Sequence, residues 1–116
     1  MTYIDGFVIA VPAANKQAYI KQASEAAALF RQWGATRVVE NWGTDVPAGK
    51  LTDFQRAVQA KPGEVIVFSW IEYPDKATRD AVGKKMMEDP TMGAMVMPFD
   101  GARMIYGGFE TLMSVS

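Results

Sequence analysis

The sequence predicts an α+β fold of ferredoxin-like type, in which the chain order βαββαβ builds a four-stranded antiparallel sheet with two main helices on one face. Three observations lead there. Segments rich in β-branched and aromatic residues alternate with helical spacings in that order. Only two stretches are long and regular enough for main helices. The strand segments Phe7 to Val11 and Val65 to Ile71 are apolar at nearly every position, whereas a sheet with one wet face alternates apolar and polar residues. The second face therefore also needs cover. A second copy of the same sheet, packed face to face about a two-fold axis, supplies it.

The first strand is Tyr3 to Val11 (YIDGFVIAV), ending at Pro12, which cannot donate to a sheet ladder. From Asn15 to Trp33, the residues Tyr19, Ala23, Ala26, Phe30 and Trp33 recur at spacings of four and three. They predict an amphipathic helix with Gly34 as its C-terminal cap. Thr36 to Trp42 (TRVVENW) reads as the second strand, followed by a loop containing Gly43, Asp45, Pro47 and Gly49. Within that insertion Thr52 and Gln55 have the spacing of a capping box, which places a short helix at Asp53 to Ala60. After the turn Lys61-Pro62-Gly63, the run Val65 to Tyr73 (VIVFSWIEY) is the third strand, stopped by Pro74. Asp75 to Glu88 resumes helical spacing with Asp75 as N-cap. A methionine-rich loop, Asp89 to Asp100, leads to a last strand from Arg103 to Met113.

Composition narrows the chemistry. The chain has 116 residues, 49% of them apolar, with 12 Lys+Arg against 13 Asp+Glu and neither cysteine nor histidine. Its length fits one domain, residues 1–116, with a core that needs no disulfide or structural metal. A thiolate nucleophile, a serine–histidine dyad, a proximal histidine for haem and a zinc site of N/S type are all excluded. Carboxylate, amine, hydroxyl and aromatic chemistry remain, so no metal or cofactor is expected. Near-balanced charge argues against a nucleic-acid partner, which would call for a basic patch. No phosphate-binding glycine motif occurs. With no apolar run of roughly 18 residues and no basic start to a signal peptide, a cytoplasmic location without membrane attachment is expected.

Alternation assigns Ile4, Gly6, Val8, Val67 and Ser69 to a face of small residues suited to the helices. The opposite face then collects Asp5, Phe7, Glu40, Trp42, Trp70, Glu72 and Tyr106, a mixture of aromatics and carboxylates. An apolar pocket with a few convergent polar groups is how a small-molecule site is built, and a carboxylate desolvated beside an aromatic ring can act as a base. On this reading Asp5 and Glu72 are the catalytic carboxylates, with Glu40, Trp42, Trp70 and Tyr106 binding substrate and Arg37 and Arg103 pairing with anionic groups. The same residues also read as structure: the aromatics as dimer core, the carboxylates as intersubunit ion pairs or solvated strand ends, and Gly107-Gly108 beside Tyr106 as a bulge. Met92, Met95, Met97 and Met104 read equally as an adaptable lid or as gap fillers in a core.

The segments DGFVIAVP, TDFQRAV and VFSWIEYP, with KKMMEDP and MPFDGARMIYGGFE, resemble the YbaA-like family of small bacterial proteins of unknown function, from Tyr3 to Glu110. The resemblance implies the dimeric α/β barrel superfamily, and hence the homodimer that the strand pattern also predicts. It supplies no reaction. Other families of that superfamily include cofactor-free monooxygenases, haem-degrading enzymes and stress-responsive proteins, and the missing histidine closes the histidine-ligated haem route. Two functions follow as expectations. One is a cofactor-independent, monooxygenase-like enzyme acting on a small aromatic or quinone-like compound. The other is a non-catalytic, small-ligand-binding or stress-associated dimer.

Overall fold

The computed structural model describes residues 2–116. Strand β1 (Tyr3–Pro12) runs through a short 3-10 turn into helix α1 (Lys16–Trp33). Gly34 ends that helix with φ +134°, and its N–H donates back to the carbonyls of Phe30 and Arg31. Only glycine takes that backbone conformation without strain. Strand β2 (Arg37–Trp42) follows, then the insertion with its one-turn helix α2 (Phe54–Ala57), strand β3 (Glu64–Tyr73) and helix α3 (Lys76–Glu88). Asp75 caps α3 by accepting a hydrogen bond from the Thr78 N–H at 2.7 Å, which satisfies one of the orphan donors of the first turn.

Three elements differ from the sequence expectation. Helix α2 is shorter and is capped by Asp53, whose carboxylate accepts from the Arg56 N–H, so Thr52 and Gln55 form no capping box. The methionine-rich loop contains a further short helix, α4 (Pro90–Ala94), begun by Pro90 and capped by Asp89. Strand β4 spans only Ile105–Glu110, because a 3-10 turn at Gly101–Arg103 occupies its expected start.

The sheet is antiparallel throughout, in the order β2-β3-β1-β4, and the fold is ferredoxin-like α+β. Its register corrects the expected faces. Residues directly opposite in an antiparallel pair share a face, and Phe7 pairs with Ser69 and with Tyr106, Asp5 with Ile71, and Glu40 with Ser69. The helix-covered face therefore carries Asp5, Phe7, Ile9, Glu40, Trp42, Ser69, Ile71 and Tyr106. Val8, Ala10, Ile66, Phe68, Trp70 and Glu72 lie on the opposite, open face. Alternation fixes the parity within a strand but not between strands, and the expectation joined the wrong parities of β1 and β3.

Two core clusters lie under the helices: Ile9, Val11, Tyr19 and Val67 in one, and Ala35, Ile71, Tyr73 and Val82 in the other. A third lies on the open face, where Val46, Val58 and Ala60 of the insertion cover Val8, Ala10 and Ile66 at one end. The rest of that face stays uncovered within one copy, with Phe68, Ile105 and Phe109 exposed.

Candidate functional site

Between the sheet and the helices lies a cavity of about 690 Å³, the size of a typical small-molecule site. Its floor is formed by Phe7, Ile9, Val38 and Ile71, and α1 contributes Tyr19, Ala23, Ala26 and Phe30. Met86, Met87, Met92, Met97 and Met104 form much of the remaining wall. Thioether side chains are flexible and polarisable, so this wall adapts to the shape of what it meets. Tyr106 stacks on Phe7 with ring centroids 6.2 Å apart and closes the side next to β4.

Gln22 and Lys84 line the cavity, and its hydrogen-bonded carboxylates sit at two poles. At the first, Glu40 and Ser69 face each other across the β2–β3 pairing. The buried Tyr19 hydroxyl on α1 donates to Glu40 Oε1 at 2.6 Å. No cation lies within ion-pair distance of Glu40 among the described residues. Glu40 keeps an exposed edge to solvent, and the part of its hydration that it loses raises its pKa above the ordinary carboxylate value, against the hydroxyls of Tyr19 and Ser69, which favour the ionised form. Burial and then the neighbouring Glu40 hold the Tyr19 phenol well above its usual pKa, so it stays a donor.

At the second pole Asp5 is fully engaged. Arg79 Nε from α3 donates to Asp5 Oδ1 at 3.0 Å, and the Tyr73 hydroxyl donates to Asp5 Oδ2 at 2.9 Å. Burial and the Asp5 charge raise the Tyr73 pKa in turn. Arg79 also lies over the Tyr3 ring, 5.3 Å from its centroid, and donates to Asp80. Gly108 on the adjoining strand makes room for this arrangement, since a Cβ there would sit 2.7 Å from Arg79 Nη2 and 2.5 Å from the Tyr3 hydroxyl. The two poles are complementary in kind. Asp5 has its own cation, whereas Glu40 has only hydroxyl partners and is free to act on a ligand.

Of the residues singled out from sequence, Asp5, Glu40 and Tyr106 meet at the cavity. The other five do not. Trp42 is on the helix-covered face, but packs into the core beneath Lys16, whose ammonium lies 5.2 Å from the ring centroid. Trp70 and Glu72 occupy the open face, where the indole N–H donates to Glu72 at 2.9 Å and Arg37 pairs with the same carboxylate at 3.6 Å. Arg103 is held away from the cavity by a bidentate pair with Glu64, both contacts 2.7 Å. Sequence reasoning passed over Tyr19, Ser69, Tyr73 and Arg79. Two of them carried a signal: a tyrosine on an apolar helix stripe and a serine inside an apolar strand each need a polar partner once buried. Nothing in the spacing of Arg79 marked it. Among the described residues no group of three or more carboxylates is placed to hold a metal ion, and no helix is long and apolar enough to cross a membrane.

A family model described as "Protein of unknown function (DUF1428)" matches residues 2–101. The chain belongs to this family. Beside DUF1428, the chain is similar to the "Uncharacterized protein YbaA" of Escherichia coli strain K12, with 58% identity over 115 residues covering 97% of this chain and 98% of that protein. The YbaA of Shigella flexneri matches with the same identity and coverage. Among solved structures, a dimeric ferredoxin-like protein from an uncultured marine organism superposes with a TM-score of 0.62 over 98% of both chains, at 12% identity. That likeness shows the fold alone. The DUF1428 description names no reaction, so chemistry must be read from the cavity.

Proposed function

We propose that the cavity binds a small, largely apolar molecule of aromatic or quinone-like type and that Glu40 takes a proton from it. The observation that carries this reading is a carboxylate with no cation within ion-pair distance among the described residues, facing a largely apolar cavity with a hydroxyl on either side. A carboxylate with a raised pKa is a stronger base than one in water, and apolar surroundings keep it from being neutralised by a fixed charge. Asp5, already paired with Arg79, serves as the anchor at the far pole. Phe7 and Tyr106 offer ring faces for stacking.

The finer reading is a cofactor-independent, monooxygenase-like reaction, which rests partly on analogy of fold. Removal of a proton from a phenolic or enolisable ring makes an electron-rich anion able to react with dioxygen. A ring C–H carbon then becomes C=O, one oxygen atom stays in the product, and the other leaves as water with that ring hydrogen and the proton first removed. Binding without turnover is the second reading, favoured by the methionine wall, which suits ligands of varied shape.

Titration of hydroxynaphthalene and hydroquinone-type compounds, followed by calorimetry and by oxygen uptake, tests both. Uptake by the native chain that Glu40→Gln abolishes, with binding retained, supports the enzyme. Binding with no uptake in either leaves the carrier. No binding of any such compound overturns the site.

The chain on this proposal is one dimeric α/β barrel domain, a homodimer closed through the open sheet face. The support is the apolar character of that face and the dimeric state of the ferredoxin-like structural neighbour that covers 98% of the chain. Phe68, Ile105 and Phe109 would otherwise form part of an apolar patch larger than soluble monomers tolerate.

A further inference from the structure

We infer that residues 111–116 form an arm that packs onto a second copy of this chain. The inference deepens the homodimer reading and rests on it. Among the described residues, the last hydrogen bond tying this segment to the rest of the chain runs from the Thr111 N–H to the Thr2 carbonyl, at 3.0 Å. Beyond it Leu112, Met113 and Val115 are 90%, 75% and 85% exposed. The segment, TLMSVS, has no charged side chain. A solvated tail is ordinarily polar and charged, so three apolar side chains in six residues belong to a surface that meets something.

Charge and shape identify what it meets. The open face carries a row of rings, Phe54 against Phe68 at 5.9 Å and Phe68 against Trp70 at 6.0 Å, continued on β4 by Phe109. The charges described there, Arg37 and Glu72, pair with each other. Neither the side chains of the arm nor the paired charges of the face select a basic or acidic peptide. No lysine or arginine follows Arg103, whereas docking to an anionic membrane surface draws on basic residues. What fits an arm of apolar side chains is an apolar face whose charges are paired, and a two-fold axis gives each copy one of both. Reach agrees: six extended residues span about 20 Å, and four strands side by side are about 15–20 Å wide.

The chain contains no cysteine, so a spin label at Met113→Cys reports on the arm alone. The label should be immobilised at protein concentrations where sedimentation shows a dimer, and released on dilution. In parallel, the chain ending at Glu110 and the double variant Leu112→Asp/Val115→Asp should each dissociate about 100-fold more readily than the native chain, or worse, from the loss of several buried apolar side chains per dimer. A label mobile at every concentration, or a shortened chain that dimerises as tightly as the native one, overturns the arm and leaves the dimer standing. A native chain that stays monomeric overturns both. Immobilisation produced only by phosphatidylcholine vesicles would assign the arm to a lipid surface and overturn the inference.

Discussion

Glu40 and Glu64 are both carboxylates at strand positions, and the fold moves their ionisation in opposite directions. Glu40 lacks a cation and its pKa rises; Glu64 receives both Arg103 amino groups and its pKa falls to about 2. The signs for stability follow by linkage. Ionised Glu40 costs folding free energy, and that cost is relieved as pH falls through its raised folded pKa. Because Glu40 is partly open to solvent, screening keeps the effect small: Glu40→Gln should stabilise the native chain slightly at neutral pH, with the gain shrinking toward acid. Urea unfolding at pH 7 and pH 4 measures it, and a destabilised variant at pH 7 would mean that Glu40 is a structural ligand of Tyr19. A second prediction concerns Gly108. Its replacement by alanine displaces the end of Arg79 and the Tyr3 ring, which meets the new Cβ through both its hydroxyl and a ring carbon, so the cost should be about 1–3 kcal/mol. Asp5 loses its fixed cation, and ligand affinity should fall without any change in dimer dissociation. Calorimetry of the variant separates the two.

At the scale of elements, the clasp between the turn before β4 and the start of β3 decides how the cavity wall is held. Arg103 donates to Glu64 with two amino groups, to the Gln59 carbonyl and to Asp100, so one side chain fastens the insertion, β3 and the methionine-rich segment together. Glu64 gains stability from folding at pH values above its ordinary pKa of about 4.5, and that gain is lost as pH falls toward about 2. Arg103→Met should lower the denaturation midpoint at pH 7, and the difference from the native chain should vanish near pH 2. A difference independent of pH would assign the loss to packing. The clasp was not legible in the sequence, because Arg103 and Glu64 are 39 residues apart and nothing in either segment marks the other. The caps were only partly legible: Asp75 could be read from its place before α3, but Asp53 took the role in α2 that the Thr52/Gln55 spacing predicted for a different residue.

For the whole molecule, element order and the need to cover a second sheet face were legible, because strand composition and β-helix alternation are local properties. The distribution of the candidate site over two faces was not. It depends on register between β1 and β3, and a shift of one residue moves every side chain to the other side. That register has a functional consequence, since it places the cavity and the aromatic row on opposite sides of one sheet. The two should then be separable. Phe68 is 48% exposed on the open face, so Phe68→Glu costs the monomer little, about 1 kcal/mol for its ring contacts with Phe54 and Trp70. Across a two-fold axis it sets like charges near each other in an apolar interface, where such juxtaposition costs several kcal/mol. The expected outcome is a folded monomer that binds a cavity ligand within about twofold of the native affinity, as mutations acting at independent sites allow. Sedimentation and calorimetry on the same preparation check both halves. A monomer that has lost the ligand would show that the cavity is completed by the second copy, for which Tyr106, 72% exposed on edge strand β4 beside Phe7, offers a contact.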